Sequence, residues 1–138
     1  ILHLAKGQNP VACSRAFENN RTAPGKKAVI MFLDDYFDAR HTVENTAWFY
    51  DTDFEFLNDD SIVQVVIAGA RHHDTYVRTL LAGVPAERIV HMREESAAPA
   101  AVTPEADTVF ILYDVYTIRL ANEIRQKLLD GGKEAASK

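Results

Sequence analysis

Four short apolar runs punctuate the chain, at residues 28–33 (AVIMFL), 62–68 (IVQVVIA), 88–92 (RIVHM) and 108–113 (TVFILY). Each is nearly continuous rather than alternating, and rich in Val and Ile. A strand with one wet face alternates, whereas a strand covered on both faces does not, so the runs predict a parallel sheet buried between helices. Around them the period changes to that of a helix. Asn9-Pro10 supplies an N-cap and a proline at the first helical position, opening a helix that runs to about residue 20. Residues 71–82 set Val77, Leu80, Leu81 and then Val84 on one face, with Gly83 and Pro85 as the stop. Residues 116–130 repeat Ile118, Ala121, Ile124 and Leu128 at helical spacing, and Gly131-Gly132 are expected to end that helix. Residues 96–104 (SAAPAAVTP) hold two prolines among small residues and predict a loop. This alternation predicts an α/β fold: a small three-layer Rossmann-like domain over residues 1–132, with a mainly parallel sheet of four or more strands. A disordered tail is expected at 133–138.

Composition narrows the class without naming a function. With 138 residues, 47% apolar and 25% charged, the chain fits one soluble domain that can build a core without covalent staples. Cys13 is the only cysteine, which excludes a disulfide framework and a cysteine-held zinc. The chain opens mid-pattern at Ile1 and is expected to be a piece of a longer protein. No apolar run approaches the ~20 residues that span a bilayer, and no signal peptide is visible, so the expected compartment is the cytoplasm.

The net charge of −5 is unevenly spread: between positions 34 and 60 nine acids face one base, Arg40, which gives that segment −8 and the remainder +3. Binding nucleic acid requires a concentrated basic face to neutralise phosphates; none exists, so no nucleic-acid partner is expected. Tyr36, Phe37, Trp48, Phe49, Tyr50, Phe54 and Phe56 share the acidic stretch. It is either a solvated acidic loop or an aromatic-studded surface that meets a partner, with Trp48, Tyr50 and Asp38 as candidate contact residues.

Gly25-Lys26 lacks the upstream glycine of a P-loop, and Lys27 stands where a Ser or Thr would follow, so no phosphate cradle is expected. Gly69-Ala70-Arg71, at a strand-to-helix turn, offers N–H groups and a guanidinium to an anion, or a glycine needed only for close packing. Arg71 is therefore a candidate substrate-binding residue. His72 and His73 are helical neighbours about 100° apart and are expected to be unable to chelate one ion together. His91 falls in a buried strand, where a hydrogen-bonded core histidine is expected, and His3 and His41 have no partner at ligand spacing. No metal site is expected. Cys13 lies in the first turns of the Asn9 helix, whose dipole lowers a thiol's pKa. With no His base in view, a buried and inert thiol is expected. Asp34-Asp35 after the first run resembles the acidic pair of a receiver-domain phosphorylation site, but the Asp and Lys that such a site needs on later strands are missing.

Residues 45–55 (NTAWFYDTDFE) hold the only Trp and three carboxylates among aromatic residues, with no regular period. Carboxylates so placed are expected to be partly desolvated and suited to orienting an imidazolium. The chain has no nucleophile–base pair of its own to receive that help, which places the partners of such a carboxylate on another subunit.

Gln8-Asn9-Pro10-Val11, then Trp48-Phe49-Tyr50-Asp51-Thr52-Asp53-Phe54-Glu55, then Ala68-Gly69-Ala70-Arg71 followed by Leu80-Leu81-Ala82-Gly83-Val84, and finally Tyr116-Thr117 occur in that order. Together, over nearly the whole chain, they resemble the C-terminal domain of MurT-type proteins, the Mur-ligase-like subunit of lipid II isoglutaminyl synthase. Residues 34–45 lack the Asp-Gly usual in that family, and Ala47 stands where a Ser is usual. The resemblance implies a carbon–nitrogen ligase whose complete subunit activates the D-glutamate carboxylate of the peptidoglycan stem peptide. It places ATP, magnesium and a cysteine-held zinc on a central domain that this chain lacks, with no cofactor on the chain itself, whose activity alone stays open. It also implies partners: the other Mur-ligase-like domains, a lipid-linked substrate met at the membrane surface without insertion, and a GatD-like glutaminase subunit. That glutaminase uses a Cys and a His, docks on this domain and takes from it an Asp that completes its triad. By position in the Trp-aromatic-aromatic-Asp motif that residue is Asp51, with Asp53 the second choice. Two further readings stay open: a non-catalytic α/β interaction module that kept this fold, and a small-ligand-binding Rossmann-like domain using residues 69–71.

Overall fold

Strand β2 (Lys27–Met31) shows why the apolar runs are continuous: every one of its residues is buried. Val29, Met31 and the following Leu33 pack on one face of the sheet, Ile30 and Phe32 on the other. The computed structural model describes residues 1–4, 9–33, 47–114 and 117–137. Gln8, Asp34, Asp35, Asp38, His41 and Tyr116 lie outside the described residues.

The sheet adds β1 (Leu2–Leu4), β3 (Ile62–Ala68), β4 (Ile89–Met92) and β5 (Thr108–Tyr113), in the order β1-β5-β2-β3-β4. All four pairings are parallel. The expected parallel sheet is therefore present, with β1 as an edge strand too short to leave a run in the sequence. Helices α1 (Pro10–Thr22), α2 (His72–Leu81), α3 (Ala98–Ala101) and α4 (Ile118–Ser137) complete the three layers. Cys13, Ala16 and Phe17 of α1 share one core with Phe49, Phe54 and Leu57, while Ala98 of α3 and Ala121 and Ile124 of α4 share the other with Ile30, Phe32 and Val66.

The predicted cap of α1 is formed: Asn9 Oδ1 accepts from the Ala12 amide at 3.1 Å, with Pro10 in the first turn. The other end of α1 is closed by Lys27, buried in β2, whose ammonium donates to Arg21 O at 2.9 Å and to Ala23 O. A cation there also meets the negative end of the helix dipole. Lys27→Met keeps the apolar stem but orphans these carbonyls; we expect a loss of about 1.5–3 kcal/mol, read by chemical denaturation.

Three local expectations are corrected. The inward face of α2 is not the apolar one: Val77 is 50% and Leu81 66% exposed, while Thr75, Arg78 and Thr79 are buried and only Leu80 and Val84 of the expected set pack on the core. Burial of the threonines is cheap because each hydroxyl donates to the carbonyl four residues earlier, Thr75 to Arg71 O at 3.2 Å and Thr79 to Thr75 O at 2.7 Å. Residues 96–104 are not all loop, since Pro99 is accommodated in the first turn of the short α3. Helix α4 passes through Gly131-Gly132, which take no positive φ, and its inward stripe starts at Thr117 rather than the half-exposed Ile118. The stop at Gly83 is present, with φ of 91 and a Cβ position only 2.8 Å from Asn58 Nδ2.

Candidate functional site

The acidic, aromatic segment at residues 47–57 is sorted by burial. Two short 3-10 turns, Ala47–Phe49 and Phe54–Leu57, point Trp48, Phe49, Phe54 and Leu57 into the core. The rings meet edge to face, Trp48 on Phe49 at 4.4 Å between centroids and Phe54 on Phe17 of α1 at 5.0 Å. Tyr50, Asp51, Asp53 and Glu55 are left exposed. Trp48 is thus a core residue, 9% exposed, and not a surface contact. The carboxylates are likewise not desolvated among the rings; Trp48, Phe49 and Phe54 go in and the acids go out. Tyr50, 67% exposed, remains available to a partner.

Arg78 of α2 holds the segment. Its side chain is buried, Nε donates to Phe49 O at 2.9 Å and one terminal nitrogen to Thr52 O at 2.9 Å. The same nitrogen reaches both Glu55 carboxylate oxygens, at 3.1 and 3.2 Å, and the guanidinium lies 4.8 Å from the Phe54 ring centroid. One planar cation therefore ties two backbone carbonyls, a carboxylate and an aromatic face, which a lysine ammonium could not match. On the far side the Asp53 amide donates to Ser14 Oγ of α1 at 2.9 Å, and Thr52 Oγ1 donates to Trp48 O at 2.9 Å. Sequence reasoning misses Arg78. The sequence carries no local signal for it beyond the absence of any base between residues 47 and 57, since its partners lie on a separate segment.

Asp51 and Asp53 line a shallow cleft of about 270 Å³ with Val11, Ser14, Arg15, Glu18 and Phe56. A carboxylate fixed on such a segment and left open can accept a hydrogen bond from the Nδ1–H of an imidazole on another molecule. Arg71 stands apart, at the start of α2, with its guanidinium 3.4 Å from Asp74. Gly69 beside it has φ of 125, so the turn needs glycine for its backbone, and Arg71 is already engaged. Asp38 lies outside the described residues.

Cys13 is fully buried and its pKa is pushed up to about 12 by that burial, so desolvation overrides the helix dipole and the thiol is inert at neutral pH. Gly25-Lys26 does not fit a phosphate: the Lys26 amide already donates to Asp107 Oδ2 at 2.9 Å, and the Lys27 ammonium is spent on α1. The histidines depart from expectation. His91 is hydrogen-bonded as expected but is not in the core: it is half-buried on the edge strand β4, where its Nδ1 shares a hydrogen bond of 2.8 Å with His72 Nδ1, with His73 alongside. Among the described residues no helix is long and apolar enough to cross a membrane.

Residues 6–128 match the family described as MurT ligase C-terminal. The chain is also 32% identical over 83 residues to the Lipid II isoglutaminyl synthase (glutamine-hydrolyzing) subunit MurT of Streptococcus pneumoniae, which covers 59% of this chain and 18% of that protein. The chain therefore spans less than a fifth of this curated relative. The family match extends from the residues just before the α1 cap, through the Arg78-held segment and strands β2 to β5, into α4. This chain belongs to the MurT ligase C-terminal family.

Proposed function

We propose that this chain is the C-terminal domain of the ligase subunit of an ATP- and glutamine-dependent amidotransferase that amidates the D-glutamate of the lipid II stem peptide. In this reading the domain is the landing site for a GatD-like glutaminase, and Asp51 completes that subunit's Cys-His pair. ATP, magnesium and a structural zinc belong to the central domain of the complete protein, and the reaction takes place on the cytoplasmic side of the membrane.

The observation that carries this reading is the division of residues 47–57. The buried side chains and Arg78 immobilise the backbone on one side, and Tyr50, Asp51 and Asp53 stand in solvent on the other. An inward-turned acid would serve the fold; an outward one on a fixed backbone is available to a second molecule. The relative's printed name, a glutamine-hydrolysing synthase subunit, gives the reaction in which a second molecule would need it.

Tyr50 tests the docking. An exposed aromatic at the centre of an interface is a frequent hot spot, so Tyr50→Ala should weaken association of the complete ligase subunit with the glutaminase by roughly tenfold or more. Titration calorimetry measures it, and unchanged affinity would count against docking through this segment. Tyr50 lies 5.9 Å from the Arg78 guanidinium at the surface, so the substitution should leave the melting temperature close to that of wild type.

A further inference from the structure

We propose that His72, His73 and His91 form a binding site for one divalent d-block metal ion of the zinc class. Their ligand nitrogens, one from each ring, lie within 4.8 Å of one another. The fold brings them together from two places. The glycine turn after β3 starts α2 with His72 and His73, and β4 runs parallel to β3 with His91 opposite Ile67. The three rings thus gather at the carboxyl edge of the sheet, the edge at which open α/β domains hold their ligands.

The geometry is close to that of an imidazole ligand set. Zinc holds imidazole nitrogen at about 2.0–2.1 Å, so tetrahedral ligands stand roughly 3.3 Å apart. His72 Nδ1 and His91 Nδ1 are 2.8 Å apart and need to open by about half an ångström to admit the ion. Tyr76 stacks on His91 with centroids 4.2 Å apart and planes at 16°, which fixes that ring. His73 is exposed, its ring 3.9 Å from that of His72, so it can close on the ion by rotation without disturbing the core. Two adjacent helical side chains diverge, but an imidazole from the neighbouring strand supplies a point that both can reach.

The electrostatics are compatible with metal binding. At 2.8 Å one Nδ1–H donates to the other Nδ1, and binding the ion moves that hydrogen to the far nitrogen of its ring, which frees both lone pairs. Arg93 carries a positive charge close enough to act on His72, and that charge opposes a dication. Imidazoles select zinc, cobalt, nickel or copper over magnesium and calcium, which prefer oxygen. Three protein ligands leave a fourth position for water or a group of another molecule. None of this depends on the glutaminase reading.

The test uses the full chain without an affinity tag, stripped by a chelator, then titrated with Zn2+ by calorimetry and with Co2+ by visible spectroscopy. We expect one Zn2+ per chain and the intense d–d bands of tetrahedral Co2+. His91→Ala and His73→Ala should each weaken binding at least about tenfold, with His73→Ala, at an exposed position, guarding against loss of fold in the other. His3→Ala, outside the cluster, should leave the affinity unchanged. Failure of the wild-type chain to bind stoichiometrically, or binding that survives His73→Ala, overturns the proposal.

Discussion

Glutamine hydrolysis by the proposed complex is expected to collapse when Asp51 becomes Asn, while the two subunits still associate. Asn is nearly isosteric with Asp, and position 51 is exposed, so neither the core nor the Arg78 contacts are disturbed. What disappears is the negative charge that fixes an imidazole tautomer and stabilises the imidazolium. In serine proteases the same exchange costs ~10⁴ in rate, and a loss of that order is expected here. Asp53→Asn should have a much smaller effect, because an exposed carboxylate without a reacting partner contributes little. Glutaminase turnover of the reconstituted complex measures both, with association checked by size-exclusion chromatography. Collapse with Asp53→Asn and not with Asp51→Asn would move the role by two residues; normal turnover in both would favour the non-catalytic module.

Arg78→Met has the second large effect, and it acts on the fold first. The substitution keeps most of the stem but leaves the Phe49 and Thr52 carbonyls without their donor and Glu55 without its cation. Unpaired buried acceptors cost about 1–3 kcal/mol each, so a loss of about 3 kcal/mol is expected, or roughly 10 °C in melting temperature for a domain of this size. Arg78→Lys should recover only part of it, since one ammonium cannot serve the forked set of acceptors. Near-UV circular dichroism should lose the signal of the packed Trp48, and glutamine turnover in the complex should fall because Asp51 is no longer held. A melting temperature within a degree or two of wild type would show that the segment is fixed by its aromatic side chains alone.

Much of the fold is legible because the sheet is buried on both faces. From Ala28 to Leu33 the residues facing α1 and those facing α4 are all apolar, so the run itself announces the layers. The α1 cap is legible because an Asn suited to the N-cap is followed at once by a Pro suited to the first helical position. The face of α2 is not, since the pattern assumes that apolar residues point inward. Here two threonines satisfied by their own helix and one multiply bonded arginine take the inward positions, leaving Val77 and Leu81 outside. The double glycine in α4 misleads for a related reason: glycine permits a left-handed stop but does not impose one, and here both glycines stay helical. In the site, the segment bearing Asp51 is legible from its composition. Arg78 and the histidine cluster are not, because each joins elements well separated along the chain. Residues 78 and 49 meet across α2 and the acidic segment, and residues 72 and 91 across α2 and β4.

We expect a second protein to land on the outward side of residues 47–57. Amide hydrogen exchange of the complete ligase subunit, alone and with the glutaminase bound, tests it directly. Protection should rise on complex formation in residues 47–57 and in the adjoining first turns of α1, where Val11, Ser14 and Arg15 share the cleft with Asp51. The outer face of α4 should exchange as before. Protection confined to α4 or the β4 edge, with the 47–57 amides unchanged, would rule out docking on this segment.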